Sequence, residues 1–188
     1  MKKIALISHD SSLTGAPICL AEVCEGLIRT GFSAEFYFGL PGPGPLLDRY
    51  RLSGAQTFFY GRRRGKKEIP IGRPRIQNRL SKIFRREKID GVIANTLESF
   101  RAVEAASAMN IPSVWLIHEM IDSYRKRKEF PEMKKAAAAA DLLIFNSRSS
   151  LARLPLLGEG LEEKATFVYF GINIPAKPET IDEARNSL

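Results

Sequence analysis

Two residues of the 188, His9 and His118, can exchange a proton near neutral pH without any shift in pKa. Each stands just beyond a short apolar run. His9 follows Lys3–Ser8 (KIALIS), and His118 follows Ser113–Ile117 (SVWLI) with Glu119 beside it. A histidine in that position can exchange a hydrogen bond with a ligand hydroxyl. A structural histidine tied to a neighbouring loop would look the same in sequence. Gly15-Ala16-Pro17 opens a stretch of helical periodicity. Small residues at a helix start let a ligand approach the backbone, and the free N–H groups and the helix dipole favour a phosphate. A plain tight turn would use Gly15 equally well. Asn95-Thr96 and Asn146-Ser147 follow two more apolar runs, and Thr96 and Ser147 are also natural helix caps. Cys19 and Cys24 lack a Cys-x-x-Cys or Cys-x-x-His neighbour, so they read as small buried hydrophobes and no metal is expected.

These residues need elements to hold them. Continuous apolar runs at Lys3–Ser8, Ala34–Phe38, Gln56–Tyr60, Asp90–Ala94, Ser113–Ile117, Leu142–Phe145 and Thr166–Phe170 read as strands buried on both faces. Between them, helical spacing runs from Pro17 to a glycine stop at Gly31, then over Leu46–Ser53, Ile76–Glu87, Glu98–Met109, Glu132–Ala140 and Ser149–Leu156. Pro17 is placed at the first helical position. Seven strands alternating with helices predict an α/β fold, a Rossmann-like, doubly wound, mainly parallel seven-stranded sheet. Ligands bind such sheets at the carboxyl ends of the strands. His9, Gly15, Ala16, Asn95, Thr96, His118, Glu119 and Ser147 all fall there.

The charge is uneven. Twelve basic and two acidic residues lie between Gly61 and Lys88, a net +10 against +8 for the whole chain, so the remainder sums to −2. Gly61–Pro74 reads as a flexible loop, and Ile76–Lys88 as an amphipathic helix with its apolar stripe on the core. A patch built on Arg62, Arg63, Arg64, Lys66, Lys67, Arg79, Lys82, Arg85 and Arg86 asks for an anionic partner, with an anionic membrane surface favoured. No helix-turn-helix, zinc or aromatic-interleaved motif accompanies the charge, which disfavours nucleic acid. No apolar run reaches the roughly 18 residues of a membrane span, and Ile4–Ile7 is too short for a signal-peptide core, so a cytoplasmic location is expected. The first glycines do not form GxGxxG, which argues against a nicotinamide cofactor.

The residues in series resemble the N-terminal domain of the family 4 glycosyltransferases of GT-B fold. The resemblance rests on Ser8-His9 with Leu13-Thr14-Gly15-Ala16-Pro17, on Pro43–Tyr50 (PGPLLDRY), on Asn95-Thr96 and on His118-Glu119. Ala140–Ile144 leading to Asn146-Ser147, and Gly171-Ile172-Asn173, complete it. It implies an acceptor-side domain of a retaining enzyme that takes a sugar from a nucleotide donor to a glycan or lipid-linked acceptor, in cell-surface polysaccharide or glycolipid synthesis. It places Gly15 and Ala16 against the donor diphosphate and His118 at the donor sugar as the catalytic position; His9, Asn95, Thr96, Glu119 and Ser147, at the strand ends, are expected around the acceptor cleft. No cofactor is implied beyond the nucleotide sugar. Phe170-Gly171 departs from the family's usual Asn-Gly, so no role is assigned there.

Residues 1–173 are expected to form this domain. Residues 174–188 are expected to be a linker and the start of a donor-binding domain, supplied in cis or as a separate chain. That domain's Glu-x7-Glu motif is not in this sequence, so the chain alone is expected to be inactive. The competing reading is a non-catalytic Rossmann-like module that docks on an anionic membrane or on a separate catalytic subunit.

Overall fold

In a computed structural model the chain is described over residues 1–64, 67–69 and 73–171. Seven strands form one sheet: β1 (Lys2–Ser8), β2 (Ala34–Leu40), β3 (Gln56–Phe59), β6 (Gly91–Asn95), β7 (Ser113–Ile117), β8 (Leu142–Phe145) and β9 (Ala165–Phe167). Their order is β3-β2-β1-β6-β7-β8-β9, and every pair is parallel. The fold is therefore α/β and doubly wound. The order reverses beside β1: the chain runs outward through β2 and β3, then crosses back to β6, and ligands bind at such a switch point. β1 and β6 pair from Ile4↔Gly91 to Ser8↔Asn95, so Ser8 and Asn95 finish side by side.

Helices cover the sheet on both faces because its inner strands present apolar side chains to both. On one face, α1 (Gly15–Arg29) and α2 (Leu47–Leu52) bury Leu20, Cys24, Phe38 and Tyr50, with Phe38 and Tyr50 stacked at 3.9 Å. On the other, α3 (Arg73–Glu87), α4 (Phe100–Ser107) and α5 (Phe130–Ala139) cover Leu80, Phe84, Val103 and Trp115. The two cysteines are buried and free, and burial pushes both thiols up to about 11. Gly31, at φ 78°, ends α1: its N–H bonds to Ile28 and that of Phe32 to Leu27, a pairing that needs a left-handed residue.

Several boundaries differ from the sequence reading. α1 begins at Gly15, which makes Pro17 its third residue; it still lies in the first turn, where no backbone donor is needed. The Gly61–Pro74 loop contains a short antiparallel hairpin, β4 (Arg62–Arg64) with β5 (Lys67–Ile69), and α3 starts at Arg73 because Pro74 suits a first turn. A 3-10 turn at Leu97–Ser99 precedes α4. The helix expected over Ser149–Leu156 is α6 (Arg148–Leu151) followed by a 3-10 turn at Leu154–Leu156, where Pro155 cannot continue the helix. Residues 174–188 and Lys66 lie outside the described residues, and Arg62, Arg63, Arg64 and Lys67 are described in backbone only.

Candidate functional site

The site lies where β1, β6 and β7 end. The Asn95 side chain is fully buried between two partners. Its Nδ2 donates to the Ala16 carbonyl at 2.9 Å, and its Oδ1 faces His118 Nε2 at 2.7 Å. The Ala16 carbonyl can only accept, so the amide nitrogen must face it and the amide oxygen must face the imidazole. Nε2 therefore holds the proton, and in the neutral ring Nδ1 is left as the acceptor. Burial, with His9 nearby, lowers the His118 pKa to about 4, which keeps the ring neutral at physiological pH. Asn146 Nδ2 donates to the His118 carbonyl at 3.1 Å, and Phe170 stacks on the ring at 5.1 Å.

Glu119 turns back to accept from the backbone N–H groups of Leu97 and His118 at 3.1 Å each. Burial raises its pKa against those hydrogen bonds. The first N–H after Thr96 is thus capped by Glu119. Thr96 does not cap this turn: at φ 75° its backbone is left-handed, its side chain is buried, and Oγ1 has no hydrogen-bond partner. The Thr96 backbone is fixed instead, its N–H to Leu116 and its carbonyl to Trp115 Nε1 at 2.7 Å. Ser147 does cap α6, with Oγ accepting from Ser150 N–H at 3.1 Å.

The first turn of α1 is open. No described hydrogen bond engages the amide N–H of Gly15 or Ala16, and a Cβ added at Gly15 would meet nothing within 4 Å. The loop before it is clamped to the β2–α2 loop: Ser11 Oγ donates to the Gly42 carbonyl, and a Cβ at Gly44 would fall 2.1 Å from that Oγ.

On the opposite face of the sheet, under the starts of α3 and α4, is a cavity of about 410 Å³. His9, Tyr60, Leu80, Glu98, Arg101 and Glu119 line it. Arg101 Nη1 donates to Glu104 at 2.6 Å with both side chains largely buried, while Arg101 Nε and His9 Nδ1 are buried without a partner. Glu98 is paired with Arg127. The sequence reading singled out neither Arg101 nor Glu98, because on a helix start they look like ordinary surface charges. Arg79, Lys82, Arg85 and Arg86 form the exposed side of α3, away from Leu80, Ile83 and Phe84. Among the described residues no cluster of three metal-ligating side chains forms.

A family model of glycosyltransferase family 4 matches residues 13–174. The chain belongs to glycosyltransferase family 4. No curated protein matches it in sequence. Among solved structures it is similar to Anabaena Alr3699/HepE in complex with UDP-glucose, at TM-score 0.72 and 18% identity, over 100% of this chain and 50% of that one. It is also similar to the lipopolysaccharide outer core galactosyltransferase WaaB, at TM-score 0.66 and 16% identity, over 90% of this chain and 46% of WaaB. A UDP-GlcNAc 2-epimerase from Methanocaldococcus jannaschii shares the fold at TM-score 0.60 and 14% identity, over 89% of this chain and 45% of that one. At these identities the likeness shows the fold, the N-terminal half of GT-B enzymes. The chain spans about half the length of the solved structures it resembles. Among the described residues no helix is long and apolar enough to cross a membrane.

Proposed function

We propose that this chain is the acceptor-side half of a retaining glycosyltransferase, completed by a donor-binding domain in cis or on a separate chain. The intact enzyme would transfer a hexosyl group from a nucleotide donor to a glycan or lipid-linked acceptor of the cell surface. The family 4 match over residues 13–174 supports this reading most strongly. The UDP-glucose bound to Alr3699/HepE suits a nucleotide-sugar donor here.

The residues divide the work by face. The open Gly15 and Ala16 amides at the start of α1 would meet the donor diphosphate and stabilise its charge as it leaves. His118, neutral and held by Asn95, would present Nδ1 to a hydroxyl of the donor sugar. The cavity beside His9, Glu119 and Arg101 would receive the acceptor. Rate enhancement would come from positioning and charge stabilisation rather than from a metal or cofactor. The exposed cations of α3 would hold the enzyme against the inner face of the membrane.

The experiment is His118→Ala in the intact enzyme. Loss of a pre-organised transition-state contact costs roughly 2–4 kcal/mol, a fall in kcat of about 30- to 1000-fold. Near-normal turnover with an unchanged melting temperature would remove His118 from the mechanism.

A further inference from the structure

Among the described residues, Lys88, Thr96 and Asn110 have positive φ without being glycine. Lys88 and Asn110, at φ 57° and 54°, follow the ends of α3 and α4, where a left-handed residue is ordinary. Thr96 follows a strand. At φ 75° and ψ 160° this β-branched residue occupies a region almost confined to glycine. Strain of that kind persists only where the surroundings impose it. The side chain supplies no reason for it: Thr96 is buried and Oγ1 has no hydrogen-bond partner.

The backbone does. Both peptide groups flanking Thr96 are pinned. Its N–H donates to the Leu116 carbonyl at 2.8 Å, and its carbonyl accepts from Trp115 Nε1 at 2.7 Å. The N–H of the same peptide group, that of Leu97, donates to Glu119 at 3.2 Å from Oε1 and 3.1 Å from Oε2. All three partners lie in β7 or just after it. In an extended strand, successive N–H groups point to opposite sides. The Thr96 N–H faces β7, so an extended Thr96 would turn the Leu97 N–H toward β1, the other neighbour of β6. The left-handed backbone keeps both on the β7 side, where Glu119 accepts the second.

Glu119 Oε2 also accepts from the His118 N–H at 3.1 Å. The carboxylate therefore ties the backbone of His118 to the turn that Thr96 begins. Asn95, the residue before Thr96, ties the ring at 2.7 Å. One segment, Asn95 to Leu97, thus holds His118 at both ends.

We propose that Thr96 and Glu119 are positioning residues for His118: the Glu119 carboxylate draws the Leu97 N–H to itself, holds Thr96 in its strained conformation, and together with Asn95 fixes the imidazole. The inference rests on the role given to His118 in the proposed transfer. It also moves Thr96 from the cleft lining expected of its side chain to a part played by its backbone.

Thermal melts of the 188-residue chain read the strain without any transfer. Glycine ordinarily makes a less stable variant than alanine. At a left-handed position the order inverts, and Thr96→Gly should melt roughly 2–8 °C above Thr96→Ala. The same pair in a Glu119→Gln background reads the cause. Glutamine offers one acceptor oxygen where the carboxylate offers two, so the turn can relax and the glycine advantage should fall by at least about half. Glu119→Asp, which withdraws the carboxylate by one methylene, gives the same comparison if Glu119→Gln does not fold. The nitrogen spectrum of the imidazole reads the positioning: the parent should show the Nε2–H tautomer alone, and Glu119→Gln should show the Nδ1–H form as well. In the intact enzyme at saturating acceptor, Glu119→Gln should lower kcat about ten- to 100-fold.

An alanine variant that melts at or above the glycine variant would remove the strain, and with it the proposal. A glycine advantage undiminished by Glu119→Gln would place its cause in packing rather than in the carboxylate. An unchanged tautomer, or an unchanged kcat where transfer is seen, would deny Glu119 its hold on His118. Either result also overturns the proposal. Melts and spectra as expected, with no transfer from any nucleotide sugar, would leave the clamp standing and sink the transferase reading instead.

Discussion

Asn95 Oδ1 lies 2.7 Å from His118 Nε2, while the same amide donates to the Ala16 carbonyl at 2.9 Å. One buried side chain thus joins the end of β7 to the start of α1, the two places the proposed function assigns to donor sugar and donor diphosphate. Asn95→Asp would put a carboxylate against Nε2 and favour the charged imidazolium. The His118 pKa, about 4 in the parent, should then rise by at least about 2 units. Titration of the imidazole by NMR checks this, and a pKa that stays near 4 would show that the contact does not persist in solution.

Acid should destabilise the chain through His118. Its pKa is 6.5 when unfolded and about 4 when folded, so between these values the unfolded state binds more protons. Stability is therefore full above pH 6.5 and is lost as pH falls toward 4, by an amount on the order of 2–3 kcal/mol. Glu119 acts oppositely: its raised pKa makes the folded state the better proton binder above pH 4.5, which offsets part of the loss. Denaturant melts of the parent and of His118→Gln at pH 7 and pH 4.5 isolate the histidine. The parent should lose more stability than the variant over that interval, and equal losses would contradict the neutral, buried ring.

Glycines near the site should divide into two kinds. At Gly15 a Cβ meets nothing, so Gly15→Ala should leave stability within about 0.5 kcal/mol of the parent, and Gly15→Leu should fold yet lower donor affinity in the intact enzyme. At Gly61 a Cβ would fall 1.8 Å from the Pro41 carbonyl oxygen, and at Gly44 it would meet Ser11, so alanine at either should cost roughly 1–3 kcal/mol. Thermal melts of the three alanine variants decide the division. A destabilised Gly15→Ala would make that residue a turn former rather than an opening for a ligand.

Anionic vesicles should bind the chain and neutral ones should not, because Arg79, Lys82, Arg85 and Arg86 are exposed together along α3. Each basic residue near such a surface is worth about 1 kcal/mol, and the attraction weakens as salt shortens the screening length below about 8 Å. Co-sedimentation at low and high salt, with Arg85→Gln and Arg86→Gln as the weakened form, tests it. Salt-independent binding, or equal binding to neutral vesicles, would refute an electrostatic membrane contact.

The inner strands of the sheet were legible because each is an apolar run closed by polar or glycine residues, the pattern a strand buried on both faces must have, whereas the edge strand β9 runs over Ala165–Phe167 rather than Thr166–Phe170 and is only partly covered. The hairpin at Arg62–Ile69 was not, since its arginines and lysines show none of the alternation of a half-buried strand. His118 and Gly15 could be singled out from their position after a strand and before a helix. The link between them could not, because Asn95 reaches Ala16 across 79 residues, and that depends on β6 pairing with β1 rather than with β3. Phe170 was assigned no role because Phe170-Gly171 departs from the family's Asn-Gly, and its stacking on His118 depends on where the chain runs after β9. Arg101 becomes conspicuous only once its Nε is found buried beside a cavity.

The central claim, that this chain holds the acceptor side and only part of the donor site, is tested most directly by calorimetric titration of the 188-residue chain with UDP- and GDP-sugars beside the intact two-domain enzyme. The account predicts dissociation constants for the chain alone weaker than about 1 mM, a binding free energy of about −4 kcal/mol or less in magnitude, with tight donor binding restored in the intact enzyme. A micromolar dissociation constant for the chain by itself would contradict it.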